Sequence, residues 1–381
     1  MTLTGPDSCP TSRTHISPLS PGQRLSQRFY EHAVLPRVAP VLGGAPHAAA
    51  LLGDGSEVLG FDDTVSPDHD FGPRVTLFVS GDTDRAPIFS ALESLPERFD
   101  GLPTAYRDTT NGDRDFGSGT SAHHVEVTTA SEFFTRQLGY DPVDGMTLHR
   151  WLTTPTQLLA TLTTGVVFAD HGGELTRRRA ALRWYPDDVW RYVLAAGWLR
   201  VSQEVPFVGR AGAAGDELGS TVVAGRVARD LMRLAFLIER RWAPYSKWLG
   251  RAFGELPIAA QLVQPLRRAL HTTSWRDREA ELCQIAGALI VATNRLELAP
   301  CVDPAPHRFY ERDITVVRAQ ELATALVGAV DDSGVRAVIN TGGTRTDGML
   351  RLPGAIDQVV DSVEVLTCPE RRAAAAALLG L

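Results

Sequence analysis

The sequence predicts a mixed α/β unit followed by a mostly α-helical second part. Three observations carry this. Two short apolar runs between Ala48 and Val79 are separated by a Gly-Ser turn and an Asp-x-Asp pair. A third short run, His124-Val125-Glu126-Val127-Thr128, alternates about an acid, and beyond Pro142 apolar residues recur at helical spacing. The expected divisions are a disordered tail over 1–21, an α/β unit over 22–142 and a helical unit over 143–381.

The tail is rich in Pro, Ser, Thr and Gly and carries no chemistry. From Gln23 to Leu42, Leu25, Phe29, Ala33, Leu35 and Val38 predict an amphipathic helix interrupted near Pro36. A strand over 47–52, the Gly-Ser turn with a short helix, a strand running from the Asp-x-Asp pair to Val79, and a helix from Ala86 to Glu97 follow. The Glu126 strand and a helix from about Ser131 close the unit, with the site at one sheet edge. Helical patterns then cover 155–165, 186–204, 216–243, 257–271, 274–296 and 314–330, with breaks at Pro206, Pro244, Pro257 and Pro300. Thr341 to Thr344 reads as a loop and Arg371 to Leu379 as a terminal helix.

The chemistry begins at Gly55-Ser56, with eleven residues between it and Asp68-His69-Asp70. On an extended strand Asp68 and Asp70 share a face and His69 takes the other. Two converging carboxylates repel unless a cation lies between them, and Mg²⁺ favours one or two carboxylates together with phosphate oxygens and water. Gly55 permits close backbone approach, and Ser56 offers a hydroxyl and an N–H to an anion. These parts suit a metal-bound triphosphate. The competing reading is that Asp62, Asp63, Ser66 and Asp68 only form turns around Pro67.

The order of the Gly-Ser turn and the Asp-x-Asp pair resembles the signature of the polymerase-β-like nucleotidyltransferase superfamily. The fuller string Gly55-Ser56-Glu57-Val58-Leu59-Gly60-Phe61-Asp62-Asp63, with Asp68-His69-Asp70-Phe71-Gly72-Pro73-Arg74 behind it, is similar to one bacterial subfamily described only as a domain of unknown function. In that subfamily a nucleotidyltransferase-like part precedes a helical one. Arg183 to Trp190, Gly215 to Ser220 and Pro244 to Trp248 resemble segments of the helical part, so the likeness runs from about Leu25 to near the C-terminus.

The resemblance implies a nucleotidyltransferase-like fold and a third carboxylate on a neighbouring strand. Glu126 is the candidate, as metal ligand and as base toward the acceptor; the competing reading is an exposed acid on a half-buried strand. The Gly/Asp/Thr-rich stretch from Arg107 to Ser121 is a lid or an insertion. Lys247 is the single lysine of the chain. By resemblance it reaches the triphosphate as a point charge; by composition it snorkels over Trp242, Tyr245 and Trp248. Arg74 binds phosphate or pairs with a nearby acid. Asp216 and Glu217 either favour a helix N-terminus or stand across the cleft to hold a cationic or polyhydroxy acceptor. His69, His123 and His124 read as ordinary polar residues, lacking metal-ligand spacing.

Composition sets outer bounds. The chain has 381 residues, 44% hydrophobic and 22% charged, with a formal net charge of -7. Such a balance gives no footprint for duplex nucleic acid or anionic membrane. No apolar stretch is long enough to span a bilayer, and a cytoplasmic protein is expected. Cys9, Cys283, Cys301 and Cys368 form no ligand pattern and are expected as free thiols.

The expected activity is Mg²⁺-dependent transfer of a nucleoside monophosphate, AMP by default, from an NTP to a hydroxyl or amine of a small molecule or protein, releasing pyrophosphate. Two ions are possible. Asp68, Asp70 and Glu126 bind metal, and Gly55, Ser56, Arg74 and Lys247 bind the nucleotide. One alternative is a non-catalytic nucleotide-binding or antitoxin-like partner-binding protein; the other is a metal-dependent phosphohydrolase.

Overall fold

A computed structural model describes residues 18–62, 72–105, 123–342 and 350–381. The first element is one helical segment: α1 (Pro21–Phe29), a π-helical turn (Tyr30–Val34) and α2 (Leu35–Leu42). Ser20 caps α1 in a reciprocal arrangement with Gln23, so Ser20 and Pro21, expected in the disordered tail, belong to a helix N-terminus. The interruption expected near Pro36 is this π-helical turn: the helix widens just before the proline, which relieves the clash between its ring and the carbonyl four residues back.

The main sheet has the order β5-β2-β1-β6. It comprises β1 (Ala48–Leu51), β2 (Val75–Phe78), β5 (Val125–Thr128) and β6 (Val166–Asp170), while β3 (Arg98–Phe99) and β4 (Leu102–Pro103) form a small hairpin. Strand β1 runs antiparallel to both neighbours, and β2 runs parallel to β5 with Thr76 opposite Glu126. The expected strand running from the Asp-x-Asp pair has no residues before Val75 among those described, because Pro73 cannot donate to a ladder.

Strand alternation divides the core in two. Ala49, Val75, Leu77, Val125 and Val127 pack with the first helical segment and α3 (Ala86–Leu92). Ala48, Ala50 and Phe78 face the opposite way, toward α4 (Ala130–Leu138) and the helical part, in one continuous core. The α/β unit expected to end at 142 thus draws its fourth strand from 166–170. Gly165 makes that pairing possible, since a Cβ there would lie 2.1 Å from the Leu51 carbonyl oxygen.

The helical part contains α5 (Leu148–Thr153), α6 (Thr156–Thr164), α7 (Glu174–Ala181), α8 (Asp187–Ala213), α9 (Glu217–Ile238), α10 (Ser246–Gly254), α11 (Ala259–His271), α12 (Trp275–Asn294), α13 (Ala319–Gly328) and α14 (Ser333–Gly342). Long α8 packs against α9 and α13, and α12 packs against α9 and α11. Helix α8 continues through Pro206, expected as a break, because Val205, Pro206 and Val208 are buried in the core and packing outweighs the lost hydrogen bond. The 314–330 helix is shorter than expected: a hairpin of β7 (His307–Arg308) and β8 (Thr315–Val316) precedes it. Short helices α15 (Ile356–Val359), α16 (Val363–Leu366) and α17 (Pro369–Ala374) end the chain, with a 3₁₀ turn over Ala375–Leu379. Among the described residues no helix is long and apolar enough to cross a membrane.

Candidate functional site

Leaving β1, the chain makes a tight passage at Gly53-Asp54-Gly55-Ser56. Gly55 has φ +134°, a conformation that L side chains rarely adopt. Its missing Cβ matters as much: an added one would lie 2.5 Å from Glu57 Oε1 and 2.6 Å from Arg74 Nη2. Those two groups form an ion pair at 2.7 Å, with side chains 11% and 16% exposed, and Arg74 Nη2 also donates to the Asp54 carbonyl. Arg74, standing at the entry to β2, thus pairs with an acid and braces the turn from across the sheet end.

The short helix expected after Ser56 is a compact turn. The Phe61 N–H donates to the Ser56 carbonyl at 2.9 Å and the Gly60 N–H to that of Glu57 at 3.1 Å. Ser56 is buried. Asp62, 7% exposed, fastens the turn's far end to the first helix by accepting the Gly22 N–H at 2.6 Å. Its Oδ1 is buried without a hydrogen-bond partner among the described residues. A carboxylate here also favours the positive end of α1.

Helix α10 approaches the same turn from the helical part. Arg251 Nη1 donates to the Phe61 carbonyl at 3.3 Å, and its guanidinium lies 5.4 Å from the Phe61 ring centre and 5.6 Å from that of Trp248. The two rings are 5.5 Å apart. Lys247, one turn earlier on that helix, places Nζ 5.1 Å from the Trp248 ring centre, which matches the expected cover over an aromatic surface. Sequence reasoning missed Arg251. The signal was its spacing of four from Lys247, which puts two cations on one helical face beside a tryptophan.

Asp68 and Asp70 lie outside the described residues, as does the Arg107–Ser121 stretch. Glu126 is on β5, on the same face as Thr76, Phe78 and Ala50. Two strand spacings, about 10 Å, therefore separate it from the end of β1 that leads into the Gly-Ser turn. Helix α4 covers both: Arg136 pairs with Glu126, and Phe133 and Gln137 lie 3.7 Å from the Cβ position of Gly53. At the start of β5, the His124 ring packs against Gly72, whose Cβ position is 2.9 Å from Cε1. Burial holds the neighbouring His123 imidazole below its ordinary range, opposed by its backbone hydrogen bonds.

Asp216 and Glu217 are not brought to this place. Asp216 caps α9 by accepting the Gly219 N–H at 2.7 Å, and Glu217 pairs with buried Arg278 of α12 at 3.1 Å. The other end of α9 leads through residues 239–245 into α10, and Ile258, at the start of α11, donates its N–H to Glu239 at 3.2 Å. The 22 residues of α9 span about 33 Å, so the two acids stand one helix length away, and helix capping accounts for them.

Among the described residues no three His, Cys, Asp or Glu side chains gather as a metal site. The donors that the sequence offers are all carboxylates, a chemistry that suits Mg²⁺ better than softer ions.

Residues 151–249 match the family described as a domain of unknown function (DUF4037). That span runs from α5 into α10 and includes Lys247, but neither the Gly-Ser turn nor Arg251. No curated protein matches the chain. Among solved structures it is similar to a nucleotidyltransferase-like protein from Exiguobacterium sibiricum 255-15, at 14% identity over 81% of this chain and 92% of that one, with a TM-score of 0.32, a similarity too slight to bear on fold or activity.

Proposed function

We propose that the chain is a Mg²⁺-dependent nucleotidyltransferase acting on an NTP, ATP by default, and a hydroxyl or amine acceptor of a small molecule or protein. The observation that carries this reading is the Gly55-Ser56 turn. It stands at the sheet end between β1 and β2, with Arg74 against Gly55 on one side and Arg251 of α10 bonded to Phe61 on the other. The sequence then places Asp68 and Asp70 between this turn and β2.

In the proposed reaction the acceptor oxygen or nitrogen bonds to the α-phosphorus, the bond from that phosphorus to the pyrophosphate oxygen breaks, and pyrophosphate leaves. The acceptor proton passes to Glu126. Gly55 and Ser56 receive the phosphates on backbone and hydroxyl donors, while Lys247 balances their charge. Asp68, Asp70 and Glu126 would hold Mg²⁺, which supplies neutralisation of charge on the phosphate oxygens.

One observation favours a second reading, nucleotide binding without transfer. The Glu126 carboxylate already has a guanidinium partner in Arg136, which it must give up before it can bind a metal ion or reach an acceptor.

The test is pyrophosphate release from each of the four NTPs with Mg²⁺, for wild type and Asp70→Asn, across aminoglycosides, nucleosides and cell lysate. Acceptor-dependent turnover that the variant loses supports transfer. Metal-dependent NTP binding without turnover favours the second reading, phosphate release in place of pyrophosphate favours hydrolysis, and absence of binding removes the nucleotide from the account.

A further inference from the structure

We propose that Arg251 is a positioning residue that holds the Ser56 turn in its nucleotide-receiving shape by way of Phe61; this rests on the nucleotide reading above. The connection is short. Arg251 Nη1 donates to the Phe61 carbonyl at 3.3 Å, and the N–H of that same Phe61 donates to the Ser56 carbonyl at 2.9 Å, closing the turn. Both peptide groups of Phe61 are thereby used, one toward the turn and one toward α10.

The rings add a second constraint. Phe61 and Trp248 are 6% and 8% exposed and lie 5.5 Å apart. The guanidinium is within 5.6 Å of both ring centres while it bonds the carbonyl. A planar guanidinium presents its donors in a fixed fork while its charge lies beside the rings, whereas an ammonium is a point charge with freely rotating donors. Through this one side chain, a residue of the helical part sets the conformation of a turn about 190 positions earlier in the chain. The competing account, in which Arg251 only covers aromatic surface, predicts a loss of stability without any specific loosening of 56–61.

Amide hydrogen exchange on the full chain separates the two, together with calorimetric titration of Mg·ATP, for wild type, Arg251→Ala, Arg251→Lys, Ser56→Ala and Ser56→Ala/Arg251→Ala. In Arg251→Ala, exchange over 56–61 is expected to speed up while that of α12 is unchanged. Mg·ATP binding should weaken about tenfold, the worth of one hydrogen bond. The double variant should bind no more weakly than the worse single variant, because both substitutions act on one turn. Arg251→Lys, which keeps charge and stem, should fail to restore protection, and it supplies the reading if the alanine variant does not fold. Unchanged exchange over 56–61, full rescue by lysine, or losses that multiply in the double variant would overturn the proposal. If wild type binds no Mg·ATP, the nucleotide reading fails by itself, and the exchange data still decide whether Arg251 shapes the turn.

Discussion

Replacing Gly55 by alanine tests the turn most directly. The native φ of +134° disfavours any L side chain, a backbone cost of about 1–3 kcal/mol. The new Cβ would also lie 2.5 Å from Glu57 Oε1 and 2.6 Å from Arg74 Nη2, so the ion pair at 2.7 Å must separate or shift. Displacing a mostly buried, charge-assisted bond costs about 1.5–3 kcal/mol. Gly55→Ala should therefore destabilise the chain by about 2.5–6 kcal/mol, the combined range of these two effects. The assay is equilibrium unfolding in guanidinium chloride followed by circular dichroism, with a cycle through Glu57→Ala. Removing Glu57 removes one of the two obstructing groups, so Gly55→Ala in that background should cost at least about 1 kcal/mol less. A loss below about 1 kcal/mol, smaller than the backbone cost alone, would refute the argument that glycine is required here.

Other expectations are briefer. Glu126→Gln should change stability by no more than about 1 kcal/mol, since its partner Arg136 is 45% exposed, yet lower transferase turnover about 10²–10⁴-fold if Glu126 takes the acceptor proton; unchanged turnover would remove it from that role. Burial raises the carboxyl pKa of Asp357, with Arg233 and Thr156 opposing, so the native state binds this proton more tightly than the unfolded chain does. Its stability contribution is complete below the ordinary value of 3.8 and is lost as pH rises through the native one. Asp357→Asn should then gain stability relative to wild type as pH rises above 3.8, and parallel unfolding profiles would contradict this. Burial, with repulsion from Glu279, pushes the Cys283 thiol up to about 12, whereas Cys301 is exposed. Alkylation of the native chain mapped by peptide mass should mark Cys301 well before Cys283; equal rates would show that the Cys283 site opens.

The parts legible in the sequence were those written in local pattern. Ala48 to Leu51 and Val125 to Thr128 form strands where apolar or alternating residues predict them, and α9, α11 and α12 follow their helical spacing closely. Strand β6 escaped because Val166 to Asp170 continues a Thr- and Leu-rich helical run, and its residues are all half-buried, giving no alternation to read. What makes it a strand is the free edge of β1, a partner more than a hundred residues away. At the site, the special backbone of Gly55 was legible because glycine beside serine has a local meaning. The partnership of Arg74 with Glu57 was anticipated only as one of two outcomes, since local spacing does not say which acid a strand entry will meet. Glu217 shows the opposite case: its acid at a helix start has a local reason, and the fold places it with Arg278 at the far end of α9.

The position of β6 also bears on how the chain is made. Strands β1 and β2 can pair once residue 78 has emerged from the ribosome, but the second edge of β1 stays uncovered until residue 170 follows. At ordinary synthesis rates the intervening stretch takes about 5–20 s. Throughout that interval a four-residue strand of alanines and one leucine offers unpaired backbone groups to any neighbouring nascent chain. Its shortness limits that hazard, and the order of synthesis makes closure of the sheet a late event that commits the first half of the chain to the arrival of the second.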